Sequence, residues 1–249
     1  MVDIYMTSWQ RPDFLKKAID LLYERTATDT FQLHVFDNCS DDATKQLLLG
    51  YFEAGLIKSL HLDSRNTGCL YNKAVFHAMT EFTSEYYVVT DNDVYPPLLE
   101  PDWLSQLIDI MDARPNLAFL APQLPPQFLQ MPEKDDSGRV TTTGDVVYCK
   151  AVGNTLKVTR REAYPFGDYE QLVGQYGDDG KVCELVRQKG WKVAFARNIY
   201  CYHAGQCVNW GYKPEDIDKD PRKSGYGKPF EYEVEDELKY IPKDPKWRI

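Results

Sequence analysis

One short stretch constrains the fold of this chain more than any other. Residues 86–90 are all aromatic or β-branched, and such a run indicates a strand that is buried on both faces. The run leads directly into Asp91, Asn92 and Asp93, so two carboxylates, which we expect to be exposed, follow its carboxyl end. Open α/β sheets bind ligands at that edge, and paired carboxylates suit a divalent cation that holds a phosphate. A simple turn is the alternative, because Asp and Asn favour turns and a Pro-Pro pair follows closely.

Composition limits the chain to one large domain or two small ones. With 249 residues, of which 43% are hydrophobic, it can bury a sizeable core. We predict a single domain over residues 1–211 and a charged, proline-bearing tail over residues 212–249 that wraps the core or forms a lid. The net charge of −9 argues against a broad basic surface, so we expect no nucleic-acid partner.

The sequence shows no sign of membrane insertion or secretion. No apolar run approaches the ~20 residues that cross a bilayer, and the first five residues lack the basic region of a signal peptide. The six cysteines lack the density and spacing of a secreted disulfide scaffold. We therefore expect a soluble, cytoplasmic protein with no transmembrane segment.

The first half of the chain alternates strands with amphipathic helices. Strands are predicted at residues 3–7, 33–36, 60–62 and 86–91, and apolar residues at helical spacing follow each of them. This alternation predicts βαβ units, a mostly parallel sheet and right-handed crossovers. Three of the strands then deliver polar residues to a single edge of the sheet, namely Thr7 with Ser8, Asp37, and the acidic pair that follows residue 90.

The second half continues the α/β pattern. Further strands are predicted at residues 117–121, 146–150, 155–158 and 191–196, and a helix at residues 103–111. The segment 122–138, rich in proline, glutamine and charge, is predicted to form an irregular loop. A polar turn over residues 174–179 leads into a helix over residues 181–189, which Gly190 ends in a C-terminal cap position.

Four short motifs follow one another at the predicted strand-to-helix junctions. They are TSWQRP at residues 7–12, VFDNCSDDAT at 35–44, RNTG at 65–68 and DND at 91–93. In this order they resemble the T-x-N-R-P, V-D-N-x-S-x-D-x-T, R-N-x-G and D-x-D motifs of nucleotide-sugar-dependent glycosyltransferases with the GT-A fold, in particular the inverting family 2. The likeness extends to about residue 205 and implies a Rossmann-like α/β domain of the GT-A type.

Two features of the second half extend this resemblance. Residues 177–179 (GDD), which open a predicted helix carrying Arg187, resemble the family's G-E-D-x-D-L-x-x-R block. Asp178 replaces the usual Glu, and a Lys-Val pair stands where a second Asp-Leu is common. His203, within the tripeptide His-Ala-Gly, resembles the family's late histidine. The departures leave open a catalytically silent module that binds a nucleotide or carbohydrate.

The resemblance implies a bound Mn²⁺ or Mg²⁺ ion that stabilises a departing diphosphate. Asp93 is the expected primary ligand, and Asp91 is expected to bridge the ribose or a metal-bound water. His203 is the candidate third ligand, because imidazole also suits sites of the Mn²⁺ type. Without the motif, a histidine at this position is more often a core or surface hydrogen-bonding residue.

The resemblance also implies the catalytic base. Asp179 is expected to remove the proton from an acceptor hydroxyl in a one-step displacement that inverts the anomeric centre, with Asp178 as the substitute. The alternative for Asp179 is an ordinary helix N-cap.

The remaining candidate residues are assigned to the donor. Asp37 is expected to accept a hydrogen bond from a nucleobase with Arg65 beside it, and a structural ion pair between the two is the alternative. Gly153 permits close approach to the donor sugar, or marks a simple strand break. Lys223, in a basic loop of the tail, is expected to clamp phosphate, although a solvated charge run is the alternative. The motifs add Thr7, Ser8, Arg11, Asn66, Asp91 and Asn92 to the donor site.

Together these expectations describe a metal-dependent inverting glycosyltransferase, of the hexosyl or pentosyl and deoxyhexosyl class. It would move a sugar from a nucleoside-diphosphate sugar, with UDP preferred and GDP next, to a hydroxyl of a glycan or other acceptor. A nucleotidyltransferase is the other enzyme class with acids over a nucleotide and a metal. That chemistry usually needs a glycine-rich basic loop after the first strand, which is not found here.

Overall fold

A computed structural model describes residues 1–64, 83–124, 142–164 and 178–204 of the chain, without the side chains of Thr142, Thr143 and Asp178. The strands are β1 (Val2–Ser8), β2 (Phe31–Asp37), β3 (Ser59–Leu62), β4 (Tyr86–Asp91), β5 (Val94–Tyr95), β6 (Leu117–Gln123), β7 (Thr142–Thr143), β8 (Val146–Tyr148), β9 (Lys157–Arg160), β10 (Lys192–Tyr200) and β11 (Tyr202–His203). The helices are α1 (Pro12–Arg25), α2 (Asp42–Glu53), α3 (Trp103–Asp112) and α4 (Asp178–Gln188), with a 3₁₀ helix at Arg161–Ala163.

A nine-stranded sheet forms the centre of the described structure, in the order β3-β2-β1-β4-β9-β6-β10-β8-β7. The strand pairings make β8 and β9 run opposite to the other strands. The prediction of an α/β fold with a mostly parallel central sheet is therefore confirmed. The short strands β5 and β11 pair with each other in a separate antiparallel ladder.

The centre of the sheet aligns the carboxyl ends of three strands. β1 lies between β2 and β4, and its register pairs Ser8 with Asp37 on one side and Thr7 with Asp91 on the other. Residues 86–90 of β4 are buried, as their aromatic and β-branched character predicted. The three polar strand ends therefore meet at one edge, as expected from the alternation of strands and helices.

Local sequence signals account for where several helices begin and end. Pro12 lies in the first turn of α1, where its missing N–H costs no hydrogen bond. Asp41 caps α2 by accepting a hydrogen bond from the backbone N–H of Thr44. Gly190 follows α4 with a φ of +89°, a conformation that favours glycine.

Some predicted boundaries were wrong. Helix α4 begins at Asp178 rather than at residue 181, so Asp178 and Asp179 belong to its first turn and not to a preceding loop. Strand β6 extends to Gln123, into the predicted irregular loop, because β10 pairs with it as far as Tyr200. The predicted helix after β3, the rest of that loop and the tail over residues 212–249 lie outside the described residues.

Most core side chains come from the faces of the sheet and from the helices packed on them. Among the helices in the described ranges, none combines the length and the apolar character needed to cross a bilayer.

The core gives a first prediction. Leu15 in α1 is completely buried, whereas Leu98 is 51% exposed. Replacing Leu15 with Ala should lower the free energy of unfolding by about 2–5 kcal/mol, because the change removes buried methyl groups and leaves a cavity. The matched Leu98→Ala change should have almost no effect. Urea denaturation of the unmodified protein and of both variants measures the free energies of unfolding. Equal losses in the two variants would contradict the burial of Leu15.

Candidate active site

Three side chains that can bind a metal ion converge beyond the end of β4. One oxygen each from Asp91 and Asp93 and one ring nitrogen of His203 lie within 4.8 Å of one another. Asp91 is the last residue of β4, and Asp93 lies in the turn between β4 and β5. The histidine arrives from β11, whose pairing with β5 places His203 opposite Val94. The backbone N–H of Ala204 also donates to the carbonyl of Asp93, at 2.8 Å. Residues more than 100 positions apart in the sequence are thereby fixed to the same turn.

The expectation that the acidic pair is exposed was wrong for Asp93. Its side chain is 4% exposed, and both of its oxygens have partners. Arg11 Nη1 donates to Asp93 Oδ2, and His203 Nε2 lies 3.1 Å from Asp93 Oδ1. A buried carboxylate is costly unless positive groups and hydrogen bonds compensate it, and these two side chains provide that compensation.

Burial and the charges within the cluster shift the pKa values of its two carboxylates in opposite directions. Burial, together with the nearby charge of Asp93, raises the pKa of Asp91 to about 6. Burial alone would also raise the pKa of Asp93, but the positive charges of His203 and Arg11 hold it well below its ordinary value. Burial would lower the pKa of His203, but the charge of Asp93 outweighs this and raises it. Asp93 is thus the carboxylate that stays charged.

An unusual backbone conformation brings Arg11 to this site. Gln10 and Arg11 both have left-handed backbones, with φ of +57° and +62°. Such a conformation costs roughly 1–2 kcal/mol for a non-glycine residue. Gln10 offsets this cost through hydrogen bonds to two neighbouring loops. Its N–H donates to Ser40 Oγ at 2.7 Å, its carbonyl accepts from Asn92 Nδ2 at 3.0 Å, and its side-chain oxygen accepts from the N–H of Asp41 at 3.1 Å.

Asp37 is fully buried at the neighbouring strand end. Its Oδ2 accepts a hydrogen bond from the backbone N–H of Ser40 at 2.8 Å, and its carbonyl accepts from the N–H of Asp63 at 2.9 Å. Burial raises the pKa of Asp37, and hydrogen bonds from Ser40 and Ser8 partly offset that effect. The Oδ2 oxygen of Asp37 therefore stabilises the loop that follows β2.

A second charged pair lies at the same edge of the sheet. Asp179 is in the first turn of α4, with its side chain 36% exposed, and its Oδ1 is 3.7 Å from Nζ of Lys157. Its negative charge contributes to the raised pKa of Asp91, which places Asp179 within electrostatic reach of the metal-binding cluster. The edge therefore combines a candidate cation site with a further carboxylate that is partly open to solvent.

The comparison with protein families agrees with this geometry. The model of glycosyl transferase family 2 matches residues 3–127, which is half of the chain. The chain belongs to this family. The match covers β1 to β6 and contains Asp37, Asp91 and Asp93.

Solved structures show that this family 2 chain has the GT-A fold. A mannosyltransferase from Pyrobaculum calidifontis, in complex with GDP-Man and Mn²⁺, has a TM-score of 0.60 and 17% identity over 81% of this chain. GalNAc-T7 with UDP, GalNAc and Mn²⁺ has a TM-score of 0.61 and 13% identity over 82% of this chain. TarS from S. aureus, in complex with UDP-GlcNAc, has a TM-score of 0.54 and 14% identity over 81% of this chain.

This family 2 chain is shorter than those proteins. It covers 56%, 43% and 58% of the lengths of the three solved chains, in the order given above. No curated protein matches its sequence.

The structure of this family 2 chain brings together many, but not all, of the predicted site residues. Thr7 Oγ1 donates to Asp91 Oδ1 at 2.6 Å, and Ser8 is buried beside Asp37. Gly153 is half-buried in the loop that precedes β9. Arg65, Asn66, Lys223 and the side chain of Asp178 lie outside the described residues.

Sequence reasoning missed two residues of the edge. Gln10 was not singled out, although it connects the loops after β1, β2 and β4. Lys157 was also missed, although it is a lone charged residue within an otherwise uncharged predicted strand at residues 155–158. A lysine at such a position is a useful signal, because a buried ammonium needs a partner.

Proposed function

We propose that this chain is a metal-dependent inverting glycosyltransferase, which moves a sugar from a nucleoside-diphosphate sugar to an acceptor hydroxyl. The observation that carries this proposal is the convergence of Asp91, Asp93 and His203 to within 4.8 Å, next to Asp179, in a chain of family 2. Two carboxylates and an imidazole at the carboxyl edge of a sheet are what a cation-dependent nucleotide site needs.

The residues of the cluster fit a Mn²⁺ or Mg²⁺ ion. Carboxylate oxygens suit both ions, and an imidazole favours Mn²⁺. Among the described residues, the buried Nδ1 atom of His203 has no hydrogen-bond partner. Asp91, Asp93 and His203 would hold the ion, which when bound supplies positive charge to the departing diphosphate.

Asp179 is the proposed general base. It accepts the proton of the acceptor hydroxyl while the acceptor oxygen bonds to the anomeric carbon of the donor. The bond from that carbon to the diphosphate oxygen breaks at the same time, and its electron pair leaves with the diphosphate. Because the acceptor attacks the face opposite the leaving group, the configuration at the anomeric carbon inverts.

The donor is proposed to be a UDP sugar, with a GDP sugar next. Of the structural relatives, GalNAc-T7 was solved with UDP and TarS with UDP-GlcNAc, while the mannosyltransferase was solved with GDP-Man. The described residues assigned to the donor are Thr7, Ser8, Arg11, Asp37, Asp91, Asn92 and Gly153. The acceptor is a hydroxyl of a glycan or of another molecule.

Thermal stability tests the metal and the nucleotide together. At a ligand concentration of 100 times Kd, binding to the folded state adds about 2.7 kcal/mol. For a chain of this size, that should raise Tm by about 5–10 °C. We expect UDP or a UDP sugar to give this shift with Mn²⁺, and EDTA to remove it. An equal shift in EDTA would contradict metal dependence, and no shift with any UDP or GDP compound would contradict the donor class.

The products test the reaction itself. Slow hydrolysis of the donor, with water as the acceptor, should release a nucleoside diphosphate and a free sugar. ¹H NMR of the first-formed sugar should show the anomeric configuration opposite to that of the donor. Retention of configuration would contradict the one-step displacement, and release of a nucleoside monophosphate and a sugar 1-phosphate would instead indicate transfer of the nucleotidyl group.

A further inference from the structure

Lys157 is a buried cation at the candidate active site to which the proposed mechanism gives no role. It is the first residue of β9, and its side chain is 4% exposed. The register places it opposite Val89 of β4, two residues before Asp91. Its Nζ lies 3.7 Å from Asp179 Oδ1 and 5.2 Å from the centre of the Phe119 ring. Lys157 thus connects the strand beside the metal-binding cluster with the helix that carries Asp179.

The contacts of Lys157 only partly compensate for its burial. A distance of 3.7 Å is an ion pair but exceeds the length of a hydrogen bond. The other contact of the ammonium within the described ranges is the face of the Phe119 ring. Burying a charge costs several kcal/mol in real proteins, so a lysine with such incomplete pairing is poorly suited to a purely stabilising role.

Helix stability does not explain the pair either. The N-terminus of a helix carries partial positive charge, which a carboxylate in the first turn already complements. Asp179 can therefore stabilise the start of α4 without help from Lys157. An ammonium next to that positive helix end weakens the electrostatic benefit, so the structure points to a role for Lys157 that concerns the carboxylate itself.

We propose that Lys157 is a positioning residue for Asp179. Its ammonium holds Oδ1 of the carboxylate, and Oδ2 is left to receive the proton of the acceptor hydroxyl. This inference rests on the proposed function, in which Asp179 is the general base. In this role Lys157, a buried residue of β9, orients the carboxylate of Asp179 on α4.

Three lysine variants test this role. Lys157→Met keeps the length of the side chain but removes its charge, Lys157→Arg keeps the charge, and Lys181→Met is the matched control. Lys181 lies two residues from Asp179 but pairs with Glu184, at 3.1 Å. The readouts are kcat and the donor KM, measured with saturating Mn²⁺.

Lys157→Met should lower kcat by about 10- to 100-fold, because small errors in the placement of a reacting group are costly. The donor KM should change little. Lys157→Arg should restore most of the rate, and Lys181→Met should match the unmodified protein.

A folded Lys157→Met variant with an unchanged kcat would overturn the inference, and so would a loss of rate that Lys157→Arg does not restore. If Lys157→Met does not fold, the test falls to Lys157→Arg, which must then keep most of the kcat of the unmodified protein. The proposed function is tested separately. Near-normal turnover by Asp179→Asn would remove the base assignment, whereas an inactive Asp179→Asn with a fully active Lys157→Met would remove only the role of Lys157.

Discussion

Replacing Asp93 with Asn should lower the affinity for Mn²⁺ by about 100-fold or more and abolish donor turnover at ordinary Mn²⁺ concentrations. Changing a residue that merely orients a metal ligand already costs about 10- to 100-fold, and Asp93 is proposed to be a ligand itself. It is also the member of the cluster whose pKa lies well below its ordinary value, so it carries the negative charge that a cation meets first.

Two independent measurements report the effect of the Asp93→Asn change. Electron paramagnetic resonance titration reports free Mn²⁺ directly, and donor hydrolysis reports the reaction. The matched control is Asp109→Asn, because Asp109 is an exposed residue of α3 that faces no other charge at this site. Unchanged Mn²⁺ affinity in a folded Asp93→Asn variant would contradict the metal assignment.

The variant must be shown to fold, because Asp93 also neutralises Arg11. Breaking a buried pair by removing one charge can cost about 3–5 kcal/mol, although Asn still offers an oxygen to the guanidinium. Circular dichroism and the Tm of Asp93→Asn show whether the variant folds. If Asp93→Asn does not fold, His203→Gln provides the same test from a different strand, since it removes a proposed ligand while leaving the contact between Arg11 and Asp93 in place.

Sequence patterns predicted the part of the fold that local rules determine. The run at residues 86–90 indicated a buried strand, and the helices after β1 and β2 carried start signals, namely Pro12 in the first turn of α1 and Asp41 at the N-cap of α2. Because parallel strands end at a common edge, three strand assignments were enough to bring Thr7, Asp37 and Asp91 together. No contact had to be known in advance.

The sequence could not show how the second half of the chain inserts into this sheet. Strand β9 runs antiparallel between β4 and β6, although β6 precedes it by more than 30 residues. Nothing in the local pattern of residues 155–158 specifies those neighbours, so the approach of Lys157 to Asp179 could not be foreseen. The burial of Asp93 was missed for the same reason, because its partner Arg11 belongs to a different loop and adopts a left-handed backbone.

Replacing Asp179 with Asn should lower the rate of sugar transfer by about 10²- to 10⁴-fold, the usual contribution of a general base. Asn has nearly the same shape but cannot take a proton at neutral pH. Binding of the donor and of Mn²⁺ should remain, because the carboxylates of Asp91 and Asp93 and the ring of His203 form the ion site without Asp179. The effect should therefore fall on kcat rather than on the donor KM.

The same helix supplies the control for this change. Glu184 is an exposed acid one turn further along α4, and it pairs with Lys181 rather than with the lysine of β9. Glu184→Gln should leave kcat unchanged, which separates the position of Asp179 from the general effect of removing a negative charge from α4. Steady-state kinetics and Mn²⁺-dependent nucleotide binding on both variants decide the matter. If Asp179→Asn keeps near-normal turnover, proton transfer must depend on another residue of this edge. If the variant loses both turnover and nucleotide binding, Asp179 belongs to the donor site and another residue is the general base.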